Sequence, residues 1–146
     1  MKLAELQEMW KVDSNIDVAN LGVEAANTPK LHAKYLALLT SVKLQLRKTE
    51  GEFIRLKKLK FRWYRGEMSK EELVVLGWDQ YLQNKPLKNE IDDYILSDED
   101  VITVVDKIEY IKTTLYQLEQ VLKSINSRTW DVKSAIEWYK FTNGGF

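Results

Sequence analysis

Residues 55–66 read Arg55-Leu56-Lys57-Lys58-Leu59-Lys60-Phe61-Arg62-Trp63-Tyr64-Arg65-Gly66. Six of the first eleven are Lys or Arg and three are aromatic; no Asp or Glu occurs from Phe53 to Gly66. Cations in such a stretch neutralise a phosphate backbone. Aromatic rings stack on bases, at about 1–3 kcal/mol per base and without regard to sequence. Zinc-finger spacing and major-groove reading motifs are both missing from it, so the chemistry fits a single strand better than a duplex. The candidate nucleic-acid-binding residues are Arg55, Lys57, Lys58, Lys60, Arg62, Trp63, Tyr64 and Arg65.

Charge runs on the outer face of a helix are usually only solvated. Here Arg55, Lys58, Arg62 and Arg65 fall on one helical line as successive like-charge neighbours, each pair costing about 0.2–0.5 kcal/mol. An external polyanion reverses that penalty. Lys60 lies instead on the seam of the helix, where an apolar residue fits better. Phe61, Trp63 and Tyr64 have ordinary packing as their alternative fate.

The chain has 146 residues and no formal net charge. From Lys43 to Arg65 there are nine basic residues against Glu50 and Glu52, a balance of +7. From Gly66 to Asp100 there are ten acids against Lys70, Lys85 and Lys88, a balance of −7. Adjacent blocks of opposite sign predict either intramolecular cover or docking between subunits.

The elements that must position the basic stretch are helical. Leu3, Leu6, Met9 and Trp10 give one side of a short helix over 2–12. Asp17 is a cap for a second short helix to Ala26. Thr28-Pro29 has the form of an N-cap followed by proline at the first helical position. From there Tyr35, Leu39, Val42, Leu46, Thr49, Phe53, Leu56, Lys60 and Trp63 alternate by four and three, a heptad seam of one long helix ending at Gly66. Ser69 and Glu72 match a capping box for a short helix stopped by Gly77. Another short helix is expected over 86–95. Ser97 then caps the most regular pattern in the chain: Val101, Val104, Ile108, Ile111, Leu115, Leu118, Leu122, Ile125, Thr129, Val132, Ile136 and Tyr139. Its unbroken phase predicts a single helix to about residue 142, some 65 Å long at ~1.5 Å per residue.

The expected fold is all-α, one helical domain over 1–146. Its parts are N-terminal helices with the basic-aromatic stretch (1–66), an acidic connector (67–97) and a long C-terminal oligomerisation helix (98–142). Seams this long exceed what a 146-residue monomer buries. Beta-branched residues at 104, 111, 125 and 132 shift the preference beyond two strands. A homo-oligomer larger than a dimer is expected.

Catalytic chemistry has little material. Cys is absent, His32 is the only His, and no glycine-rich phosphate loop exists. Asp92-Asp93 and Asp98-Glu99-Asp100 lack the oxygen pattern of a calcium loop. We expect no enzyme, no metal and no cofactor. The N-terminus lacks the apolar core of a signal peptide, and no run approaches ~18 apolar residues. The expected location is the cytoplasm, with no membrane partner.

The chain resembles the UvsY family, recombination mediators of T-even-like bacteriophages. The family has a basic-aromatic box of the form K-A-R-L-D-Y-Y-S-G, and Lys58-Leu59-Lys60-Phe61-Arg62-Trp63-Tyr64-Arg65-Gly66 stands in the same place without a gap from the N-terminus. The likeness extends to Leu6-Gln7-Glu8 and Glu24-Ala25-Ala26-Asn27, and returns weakly in Ile125-Asn126-Ser127-Arg128. Residues 67–97 have no match to it. The resemblance implies an all-helical, ring-like oligomer that binds single-stranded DNA. It implies loading of the phage RecA-like recombinase onto strands coated by the phage single-stranded-DNA-binding protein, in the host cytoplasm. It puts Lys58 and Lys60 at the family's DNA-binding Lys and Arg. Lys60 keeps the charge without the bidentate fork of arginine. Arg62 replaces an acid, Arg65 a serine, and Trp63 a tyrosine, so this version is the more basic one.

The heptads alone support a second reading equally well: a helical scaffold that docks other proteins and has no nucleic-acid role. A helical RNA-binding module is the third.

Overall fold

The computed structural model describes residues 1–144. Five helices follow in order: α1 (Leu3–Asp13), α2 (Leu21–Tyr64), α3 (Lys70–Leu76), α4 (Ile91–Leu96) and α5 (Glu99–Thr142). Among the described residues there is no strand, and no helix is long and apolar enough to cross a membrane. The chain forms two compact units. The first comprises Met1–Leu44 and Ile111–Phe146; the second is Gln45–Tyr110.

In the first unit, α1 is tied to the early part of α2. Trp10 meets Tyr35 edge to face at 5.4 Å. The Asp13 carboxylate accepts from Lys34 Nζ (2.6 Å) and from the Tyr35 hydroxyl (2.8 Å). Burial pushes the Asp13 carboxyl up, but those two hydrogen bonds and the charge of Lys34 outweigh it and leave it below its ordinary value. The buried side of α5 in this unit carries Ile111, Thr114, Leu118, Val121, Ile125, Arg128 and Val132. The expected seam named Leu115, Leu122 and Thr129 where burial favours Thr114, Val121 and Arg128. The stripe is turned by one residue, which leaves Leu115 and Leu122 half-buried. Arg128 donates to the Glu24 carboxylate, so two of the segments that resemble the family hold each other.

Three boundaries differ from expectation. Thr28-Pro29 does not begin a helix; Pro29 lies inside α2. Proline has no N–H for the Ala25 carbonyl, and both residues are exposed, so the freed carbonyl faces water. Asp17 serves instead as a turn residue: its carboxylate accepts from Ala19 N (3.0 Å) and Asn20 Nδ2 (2.7 Å) just before α2. Proline 86 opens no helix; a turn in which Glu90 N donates to Leu87 O (2.9 Å) precedes the six-residue α4. Ser97 closes α4, donating its hydroxyl to Asp93 O at 2.7 Å. The cap of α5 is Asp98, whose Oδ1 accepts from Asp100 N (2.9 Å) and Val101 N (3.4 Å).

In the second unit a cluster of Tyr64, Ile91, Ile95 and Val101 is buried, with Phe53, Leu56, Trp63, Tyr81 and Val105 packed against it. α2 ends at Gly66, whose φ of 69° suits only a residue without a Cβ. The Glu67 N–H then reaches the Arg62 carbonyl at 2.9 Å. Ser69 caps α3 by accepting from Glu72 N (3.2 Å), and Gly77 ends it.

Candidate nucleic-acid interface

The basic-aromatic stretch occupies the last turns of α2, all inside the second unit. A helix distributes consecutive residues around its axis, so one stretch faces two environments. Burial separates them.

On the inner face, Lys60 is 4% exposed. Its ammonium lies 3.2 Å from Asp98 Oδ2 and 2.8 Å from Asp100 Oδ2. It also sits over the Trp78 ring at 4.2 Å and the Trp63 ring at 4.8 Å. The Tyr64 hydroxyl donates to Asp98 Oδ2 at 2.7 Å. One carboxylate therefore caps α5 with one oxygen and receives Lys60 and Tyr64 on the other. Burial pushes the Asp98 carboxyl up; the hydrogen bonds from Tyr64 and Lys60, with the Lys60 charge, hold it below its usual range all the same. Burial, then the bond to Asp98, pushes the Tyr64 phenol up.

Trp63 is half-buried and donates its indole N–H to the Asp79 carbonyl at 2.7 Å. Its ring meets Tyr64, Tyr81 and Trp78 at centroid distances of 4.9, 5.0 and 6.2 Å. Arg62 is half-buried and paired with Glu72 at 2.8 Å. The hydrogen bond from Arg62 and its charge hold the Glu72 carboxyl low, against the smaller upward push of burial. The acidic block over 66–100 thus covers Lys60 and Arg62 from within the same chain, with Glu72 from the connector and Asp98 and Asp100 from the start of α5, which is the intramolecular form of the cover that the charge blocks predicted.

Arg55 and Lys58 are exposed on the outer face, and Lys57 is exposed about 100° round the helix from Lys58. Among the described residues none of the three has an acidic partner; Lys57 lies over the Phe53 ring at 5.4 Å. Arg55 folds back over Gly51, its guanidinium about as close as an ordinary contact to where a Cβ would stand. Arg65 is exposed and pairs with its near neighbour Glu67 at 2.9 Å. Of the eight candidate residues, the structure brings four to the surface and packs four into the connector.

Two residues beside the outer row were not among the candidates. The Lys85 side chain, from the acidic connector, runs over Gly66 at the end of α2. Nothing in its local sequence announces that position. Phe61 is exposed, with the Arg65 guanidinium 5.4 Å from its ring centroid. Its i, i+3 and i+4 spacing from Lys58 and Arg65 was present in the sequence. Among the described residues no group of three or more His, Cys, Asp or Glu could hold a metal ion.

The chain as a whole has counterparts. The family model described as "Recombination, repair and ssDNA binding protein UvsY" matches residues 9–145. The chain is 28% identical over 144 residues to the recombination protein UvsY of Enterobacteria phage T4, covering 99% of each. Crystal structures of the bacteriophage T4 recombination mediator protein UvsY superpose with it. The lattice II form gives a TM-score of 0.81 at 26% identity, over 98% of both chains. The lattice IV form gives 0.83 at 26% identity, over 97% of this chain and 99% of the other.

Proposed function

The chain belongs to the UvsY family of recombination, repair and single-stranded-DNA-binding proteins, and from that premise we propose that it is a recombination mediator whose strand-holding surface is the outer face of α2. Arg55, Lys57, Lys58 and Arg65 contact the phosphates, with Lys85 extending the row. Lys60, Arg62, Trp63 and Tyr64 act behind them: they fix the end of α2 to the connector and do not touch the strand. The observation that carries this reading is the contrast in pairing. Lys60 has acidic partners at the start of α5 and Arg62 has one in the connector, while Arg55, Lys57 and Lys58 keep their charge facing water.

The protein acts without catalysis of its own. It gathers single-stranded DNA, weakens the hold of the single-stranded-DNA-binding protein that coats it, and loads the RecA-like recombinase. It serves recombination, repair and recombination-dependent replication in the host cytoplasm. It works as a homo-oligomer larger than a dimer, supported by half-buried Leu115 and Leu122 and by exposed Trp130, Trp138 and Phe141 along α5.

Titration of oligo-dT by fluorescence anisotropy over a range of salt tests the binding surface. Four phosphate contacts on a single strand give a log–log slope near about −3. Negligible binding at low salt overturns the reading and favours a scaffold without a nucleic-acid role. Mediation is tested by recombinase assembly on a coated strand, which the protein must accelerate. A monomeric mass by light scattering overturns the oligomer.

A further inference from the structure

The outer face of α2 is not purely cationic. Arg47, Ile54, Lys58, Phe61 and Arg65 are all exposed and fall on one strip of the helix at heptad-related spacing. Charge and apolar surface alternate along it. Phe61 is the aromatic member, and it is placed differently from the other rings of the stretch. Tyr64 is buried and Trp63 is committed to the Asp79 carbonyl and to three neighbouring rings. Those two rings are committed to packing within the unit. Phe61 is 37% exposed, and its ring faces the Arg65 guanidinium.

That contact is easily exchanged. Arg65 is exposed and its pair with Glu67 is a surface pair, a class worth little in water. A nucleotide presents what the strip presents in mirror: a flat π face beside an anion. Along the axis Lys58 and Arg65 flank Phe61 at about 4.5 and 6 Å, from a rise of ~1.5 Å per residue. Phosphates on either side of one base can meet both cations.

We propose that Phe61 is a base-stacking platform for single-stranded DNA, with Lys58 and Arg65 holding the flanking phosphates and Arg65 leaving the ring as the base arrives. This rests on the single-strand reading above and moves the stacking role from Trp63 and Tyr64 to a ring that the core does not use. The contact is to a π face, so it is tolerant of base identity.

The test compares the wild-type protein with Phe61→Leu and Phe61→Trp on two labelled strands of equal length: oligo-dT, and a fully abasic strand with the same phosphates. Wild type binds oligo-dT more tightly. Phe61→Leu weakens oligo-dT binding about 5- to 150-fold, the equivalent of one stacked base. It leaves abasic binding and the salt slope on both strands unchanged. Phe61→Trp retains the preference for oligo-dT. Equal affinity of wild type for the two strands overturns the stack and leaves the single-strand reading standing. So does equal weakening by Phe61→Leu on both strands, or no weakening at all. Failure of wild type to bind either strand at low salt overturns the single-strand reading itself.

Discussion

Lys58 and Lys60 lie two residues apart on one helix and meet opposite surroundings. Lys58 is exposed and forms no ion pair among the described residues; Lys60 is enclosed by two carboxylates and two indole rings. The same side chain is a free charge in one place and a structural tie in the other. A buried ion pair is weak evidence of net stabilisation, but removing one partner strands the other, which costs far more than a surface charge does. The two faces of α2 must therefore answer mutation differently, and the difference separates holding the helix from holding a strand.

The largest effect is expected at Lys60. Lys60→Ala leaves Asp98 buried without its cation and lowers unfolding free energy by about 3–5 kcal/mol, measured by chemical denaturation. A variant of wild-type stability that binds no DNA would reverse the assignment and make Lys60 a strand contact. Acid reaches the same tie reversibly. The folded Asp98 carboxyl lies below the ordinary value of 3.8. Its contribution is whole above that value and is lost as pH falls through the lowered folded one. Stability at constant temperature should thus fall on acidification, and Asp98→Asn should flatten the fall. At the other limb the sign inverts. The Tyr64 phenol is raised above its ordinary 10.0, so its contribution is present below pH 10 and declines as the phenol ionises.

On the outer face the expectation is the opposite pairing of readouts. Lys57→Gln with Lys58→Gln leaves the melting temperature unchanged and flattens the salt slope by about 1.4, two single-strand phosphates' worth. A shift in melting temperature with an unaltered slope would show that the outer row is structural too. The smallest change belongs to the intermediate case. Arg62→Gln removes a half-exposed pair with Glu72, lowers stability by no more than a surface ion pair is worth and leaves the slope unchanged.

The sequence showed the helices well where burial follows a simple period. The seams through Tyr35, Val42 and Thr49 and through Ile111, Leu118, Ile125 and Val132 are buried as their spacing implied. Caps were less legible because several residues compete for the same role. Ser97 and Asp98 are both good N-caps, and the choice was made by the Asp93 carbonyl, which took the Ser97 hydroxyl. Lys60 was recognisable as an oddity on a seam, but its partner lies 40 residues away in the first turn of α5, where an acid reads simply as a favourable helix start. The period implied two faces, but it put Arg62 on the outer line with Arg55, Lys58 and Arg65, and Glu72 of α3 covers it instead. Which face is open depended on the connector, whose path no local signal encodes.

Asp98 has a further consequence for how this protein can change over generations. Its carboxylate starts α5 with one oxygen and receives Lys60 and Tyr64 with the other. Asparagine keeps the cap and discards the charge. Glutamate keeps the charge and carries it one methylene past the cap. Serine serves the first N–H groups and cannot reach the second task. Position 98 is therefore an intersection of two requirements, and drift there must wait for compensating change at Lys60, Tyr64 or the first turn of α5. Arg55 and Lys57 are under no such constraint: they can migrate along the helix one substitution at a time while the surface keeps its charge.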